Sequence, residues 1–85
     1  MEVRDEVKWF AGEMEKVLQE NDWKGSWKDC SIGWLIVKLT EEVGELAKLF
    51  IEADLNRQKN KQKVVKEVTD VANIAMMIAD VTRNK

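Results

Sequence analysis

The chain has 85 residues, one cysteine, no histidine and no proline, and its 16 acidic residues nearly balance 14 basic ones for a net charge of −2. That length holds one domain, residues 1–85, and the lone Cys30 excludes both an intrachain disulfide and a cysteine–histidine zinc site. The charge balance lacks the basic surplus of a dedicated nucleic-acid binder, and the longest apolar run, IGWLIV at 32–37, falls far short of the ~20 residues that span a membrane.

The opening MEVRDEVKWF is charged and has no signal-peptide apolar segment, so the expected setting is soluble and cytoplasmic. Apolar residues then recur at spacings of three and four rather than two, which predicts an all-α chain. Val3, Val7, Phe10, Met14 and Val17 form the apolar stripe of a first helix over about 3–20, weakened slightly by Gly12. The segment NDWKGSWKDCS at 21–31 lacks that period and reads as a loop, with Ser31 placed to cap the next helix. A second helix is expected over about 32–53, with Ile36, Leu39, Val43, Leu46, Phe50 and Ala53 as its stripe. The polar, basic NRQKNKQ at 56–62 reads as a connection. A third helix is expected over about 63–82, with Val64, Val68, Val71, Ala75 and Ile78 facing inward. Short connections suggest an antiparallel hairpin of the second and third helices with the first packed alongside.

The acids fall at chosen places on this frame. Glu42 and Glu45 lie three apart beside the apolar stripe of the second helix, with Glu41 four before Glu45. Glu67 and Asp70 lie three apart on the third helix. If the two stripes pack antiparallel, the pairs face one another, and either some carboxyls stay protonated or a cation sits between them. Oxygen ligands alone suit Mg²⁺, Mn²⁺ or Ca²⁺, and Mg²⁺ held this way points to chemistry on a phosphate compound. The competing reading is a solvated helix surface. Lys38, Lys48, Lys63 and Lys66 lie three or four residues from Glu42, Glu45, Glu67 and Asp70, and each such exposed pair is worth about 0.3–0.5 kcal/mol.

The letters of these segments carry a resemblance. Glu41-Glu42-Val43-Gly44-Glu45-Leu46, followed after a further gap by Glu67-Val68-Thr69-Asp70-Val71, resembles the EExxE…ExxD signature of the MazG-like all-α NTP pyrophosphatases, with 21 residues between Glu45 and Glu67. The run from Asp70 to Asp80 and the segment NDWKGSW at 21–27 resemble the small phage and mobile-element members, so the likeness extends over nearly the whole chain. The resemblance implies a Mg²⁺-dependent hydrolase, with Mn²⁺ as a possible substitute, that converts a nucleoside triphosphate to its monophosphate and pyrophosphate. It implies Glu42, Glu45, Glu67 and Asp70 as metal ligands, and Glu41 as an outer ligand or as the group that orients the attacking water. It also implies homo-oligomers, dimers or dimers of dimers, whose helices form four-helix bundles across subunits. A chain of this size buries only ~60–65% of the surface its unfolded form exposes, which favours assembly independently.

Further candidates have two readings each. Asn73, three after Asp70, either contacts metal-bound water or the nucleotide sugar, or is a helix residue hydrogen-bonded at a subunit contact. Trp23 and Trp27 either stack on a base, worth ~1–3 kcal/mol in nucleic-acid systems, or anchor their loop. Lys38 either reaches a phosphate or pairs with an acid on its own helix. Arg57, Lys59, Lys61 and Lys63 either steer a triphosphate toward the acids or solvate a connection. Trp9, Trp34, Met76 and Met77 read as packing residues. Gly44 either admits a second helix at close range or is a tolerated helix glycine. The leading functional expectation is the pyrophosphohydrolase, acting on a damaged or a normal nucleotide. Its alternative is a non-catalytic helical interaction module with a surface or regulatory ion site.

Overall fold

Three helices account for the ordered framework of a computed structural model that describes residues 1–52 and 61–85. The first, α1, spans Asp5–Glu20. It begins two residues later than its apolar period suggests, because Arg4 keeps extended backbone angles. Asp5 and Glu6 then place negative charge on the first turn, where the helix dipole favours it. Asn21 ends the helix, and its side-chain amide donates to the Val17 carbonyl at 3.1 Å. A short 3₁₀ turn at Asp22–Lys24 comes next. The chain reverses at Gly25, whose φ of +99° suits a residue without Cβ.

The second helix, α2, spans Ile32–Glu52, and the third, α3, spans Lys61–Arg83. Ser31 caps α2 by accepting the Trp34 backbone N–H at 3.1 Å. The expected positions Ala53, Arg57 and Lys59 lie outside the described residues.

α3 packs against both other helices, whereas α1 and α2 do not meet. The α2–α3 pair is antiparallel. Residues 28–31, just before α2, share a cavity with Val81 and Asn84; Glu42 meets Glu67 and Asp70; and Leu49 shares a cavity with Gln62 and Lys63. The hairpin with α1 alongside is the arrangement the periodicity predicts.

The inward faces differ in detail from that expectation. On α2 the inward row is Ile32, Leu35, Leu39, Glu42, Leu46 and Leu49, with Leu35 only 1% exposed and the others half-buried. Ile36, Val43 and Phe50, seven residues apart, flank this row and are 47–68% exposed. So α2 carries two apolar rows, and only one is used among the described residues. On α3 the most buried residues are Thr69, Asn73, Asp80 and Val81, three of them polar. Polar groups occupy this position because they find local partners. Thr69 donates to the Val65 carbonyl at 2.7 Å, and Asn73 donates through Nδ2 to the Met14 carbonyl of α1 at 3.2 Å. No helix among the described residues is long and apolar enough to cross a membrane.

Gly44 faces open space: a Cβ built there meets no atom within 4 Å. Within the described chain no helix makes the close approach that would offset its helix-propensity cost of ~1 kcal/mol.

Candidate metal centre

The α2–α3 pairing brings Glu42, Glu67 and Asp70 together. One carboxylate oxygen from each lies within 4.8 Å of the others. Glu42 stands in the inward row of α2, between Leu39 and Leu46. Glu67 and Asp70 are one helical turn apart on α3, so both project toward the same point. All three are half-buried.

Electrostatics mark this as an incompletely compensated site. Burial pushes the Glu42 carboxyl above its ordinary value of 4.5, and the charges of Asp70 and Glu67 push it further. Lys38 and Lys66 pull it back without cancelling the shift. Lys66 donates to both Asp70 oxygens, at 3.0 and 3.1 Å, but the ammonium is half exposed, and such pairs contribute little to stability.

The donor chemistry fits a small hard cation. All three ligands are carboxylates, with no imidazole in the chain and Cys30 elsewhere, near the end of α3. Octahedral ligands about 2.1 Å from Mg²⁺ lie about 3 Å apart when adjacent and about 4 Å when opposite. Rotating the carboxylates by roughly an ångström closes the present spacing onto such an ion.

The other expected site residues fall around this centre at varying distance. Glu45 is not one of the three converging groups. It lines an adjoining cavity of about 570 Å³ together with Glu67, Lys48, Gln62, Lys63 and Lys66. Glu41 is exposed and accepts from Lys38 at 3.0 Å. That hydrogen bond is the main reason the Lys38 ammonium is held above its ordinary range, and Lys38 also lies over the Trp34 ring at 5.8 Å. Asn73 is 4% exposed and tied to α1, with its Oδ1 left without a partner. Trp23 is 80% exposed, with Lys24 over its ring.

Trp27 belongs to a different constellation. Its indole Nε1 donates to Asp80 at 3.0 Å, and Asp80 lies ten residues, about 15 Å, along α3 from Asp70. Lys28 pairs with the same carboxylate oxygen. Arg83 takes the other from 2.8 Å. Hydrogen bonds from Lys28, Trp27 and Arg83 hold the Asp80 carboxyl well below the usual carboxylate range. This hub fastens the 21–31 loop to the end of α3. No spacing marks it in the sequence, and Trp27, two residues from Gly25 in a loop without period, is the one available signal of an anchor.

Two further features are absent from the apolar and acidic patterns. Trp9, expected to pack, is 55% exposed and borders a cavity of about 510 Å³ with Lys16, Val65, Lys66 and Thr69. Lys66 pairs with Asp70 as its spacing predicts, and it also shares one cavity with Lys48 and Lys63 beside Glu67.

In comparisons with known proteins, no family model, no curated protein and no solved structure matches this chain.

Proposed function

We propose that the chain is a Mg²⁺-dependent nucleoside triphosphate pyrophosphohydrolase. The observation that carries this reading is the convergence of Glu42, Glu67 and Asp70 from two helices at a spacing a small hard cation can close. The EExxE…ExxD resemblance supplies the reaction class, and the residues it marks include all three of these carboxylates.

Glu42, Glu67 and Asp70 would hold the ion, with Glu45 completing the set from the neighbouring turn of α2. Bound there, Mg²⁺ or Mn²⁺ supplies charge stabilisation for phosphate oxygens and acidifies water at neutral pH. The protein's own part is positional and acid–base. A carboxylate beside the attacking water and not bound to the ion would accept its proton. Glu41, on the preceding position, is placed to orient that water once Lys38 turns toward a phosphate. Attack breaks the α–β phosphoanhydride, and pyrophosphate leaves.

A homo-oligomer belongs to the same proposal. Few apolar residues of the described chain are fully buried, namely Val17, Leu35 and Val81, while Ile36, Val43 and Phe50 form an exposed row along α2. Pairing that row with its copy would build a four-helix bundle from two hairpins and bring a second chain beside the acidic turn. Of the further candidates, exposed Trp23 is the one free to meet a substrate base, whereas Asn73 and Trp27 are committed to Met14 and Asp80.

The test is incubation of purified protein with a panel of normal and modified (d)NTPs, and with phosphoribosyl-ATP, with and without Mg²⁺. Pyrophosphate release from at least one of them, dependent on Mg²⁺, is the expected result. A folded sample that releases none from any of them returns the chain to the alternative, a non-catalytic interaction module with an ion site.

A further inference from the structure

Beside the carboxylates, the antiparallel pairing sets the end of α2 against the start of α3, and the space between them is the cavity of about 570 Å³. Its walls carry Lys48 from α2 and Lys63 and Lys66 from α3, against Glu45 and Glu67. Glu67 is shared with the three-carboxylate group, so it borders both that group and the lysine-lined cavity. Lys66 is also shared: it borders the cavity while its ammonium bonds both oxygens of Asp70. A lysine on a flexible stem, half exposed, can swing from one to the other at little cost.

We propose that Lys66 serves as a built-in counter-cation of the carboxylate group which a divalent ion displaces, and that its released ammonium joins Lys48 and Lys63 in holding the outer phosphates of a polyphosphate chain in the adjoining cavity. The inference rests on the proposed metal centre and extends it to the part of the substrate this cavity takes. A divalent ion brings two charges to three carboxylates where Lys66 brings one to a single Asp70, so the exchange runs toward the ion. Once displaced, Lys66 is a third point charge facing a groove already lined by two, and charge-assisted bonds to phosphate oxygens are among the stronger hydrogen bonds. Metal and polyphosphate thus bind cooperatively, because the first releases a ligand for the second.

The experiment uses the full chain, Mn²⁺ alone, and inorganic tripolyphosphate with saturating Mg²⁺, both followed by titration calorimetry. Circular dichroism establishes that each variant is folded. Lys66→Met should bind Mn²⁺ about two- to fivefold more tightly than wild type, because a competing cation is gone. It should bind Mg²⁺–tripolyphosphate at least about tenfold more weakly. Lys63→Met, which removes a cavity cation that does not touch Asp70, should weaken tripolyphosphate alone and leave Mn²⁺ affinity unchanged. Unchanged or weaker Mn²⁺ binding in Lys66→Met overturns the counter-cation role. Wild type that binds Mn²⁺ but not tripolyphosphate, or lysine variants that bind tripolyphosphate normally, overturns the cavity assignment while the metal centre stands. Wild type that binds no Mn²⁺ overturns the metal centre and this inference together.

Discussion

Replacing Glu42 by Gln, or Asp70 by Asn, should reduce Mg²⁺-dependent pyrophosphate release by at least about a hundredfold while leaving the helices intact. Each substitution is nearly isosteric and removes one charge from the three that converge. Activity within a fewfold of wild type in both variants would sink the ligand assignment. Glu42→Gln should affect stability in the opposite sense, which separates loss of function from loss of fold. The Glu42 carboxyl titrates above its unfolded value because burial, Asp70 and Glu67 disfavour its charged form. The folded state therefore binds more protons than the unfolded state just above the ordinary glutamate range. By linkage, the Glu42 contribution to metal-free stability is fully present below that range and is lost as pH rises through the raised value. At neutral pH Glu42 is a liability that a divalent ion relieves. Metal-free Glu42→Gln should thus melt higher than metal-free wild type at pH 7. Mg²⁺ should raise the melting temperature of wild type more than that of the variant. A metal-free Glu42→Gln protein that melts lower than wild type at neutral pH would contradict the electrostatic account of this turn.

Under the proposed assembly, Val43→Glu and Phe50→Glu should each run as monomers where wild type runs at the mass of a dimer or larger. Both positions lie on the exposed apolar row of α2, where Val43 is 47% and Phe50 68% exposed, so a glutamate there meets water in the isolated chain and costs little. Glutamate is also a good helix former, so α2 itself is not weakened. Against a second copy the same side chain would be a buried, unpaired charge, a penalty of several kcal/mol. Light scattering coupled to size exclusion reads the outcome. The variants should also lose thermal stability, because a domain of this size gains much of its burial from assembly. If both retain the wild-type mass, the row is not the subunit contact.

The helices were legible because their apolar spacing is regular and their ends carry local signals. Ser31 precedes the apolar run as a cap, and the aperiodic 21–31 segment separates two periodic ones. The face α2 turns inward was not legible. Leu35, Leu39, Leu46 and Leu49 form one apolar row, and Ile36, Val43 and Phe50 form another. Nothing local states which packs against the same chain. The choice is made by α3, whose face around Thr69 and Asn73 must meet α1 while its other flank meets the leucines. The acids obey the same geometry. Spacing alone groups Glu41, Glu42, Glu45, Glu67 and Asp70, but the side-chain direction of the inward row selects Glu42 and leaves Glu41 paired with Lys38. The Asp80 hub was invisible for a different reason. A lone aspartate near a helix end has no spacing signature, and its partner Trp27 is 53 residues away in sequence, so only the folded chain brings them together.

The central claim is that Glu42, Glu67 and Asp70 form a divalent-cation centre, and paramagnetic broadening of amide resonances by Mn²⁺ tests it at the level of single residues. Substoichiometric Mn²⁺ added to isotope-labelled protein should broaden first the amides around Glu42, Glu67 and Asp70, and excess Mg²⁺ should restore them. Broadening centred on other acids, such as Asp5 and Glu6 at the start of α1, or none at millimolar Mn²⁺, would contradict it.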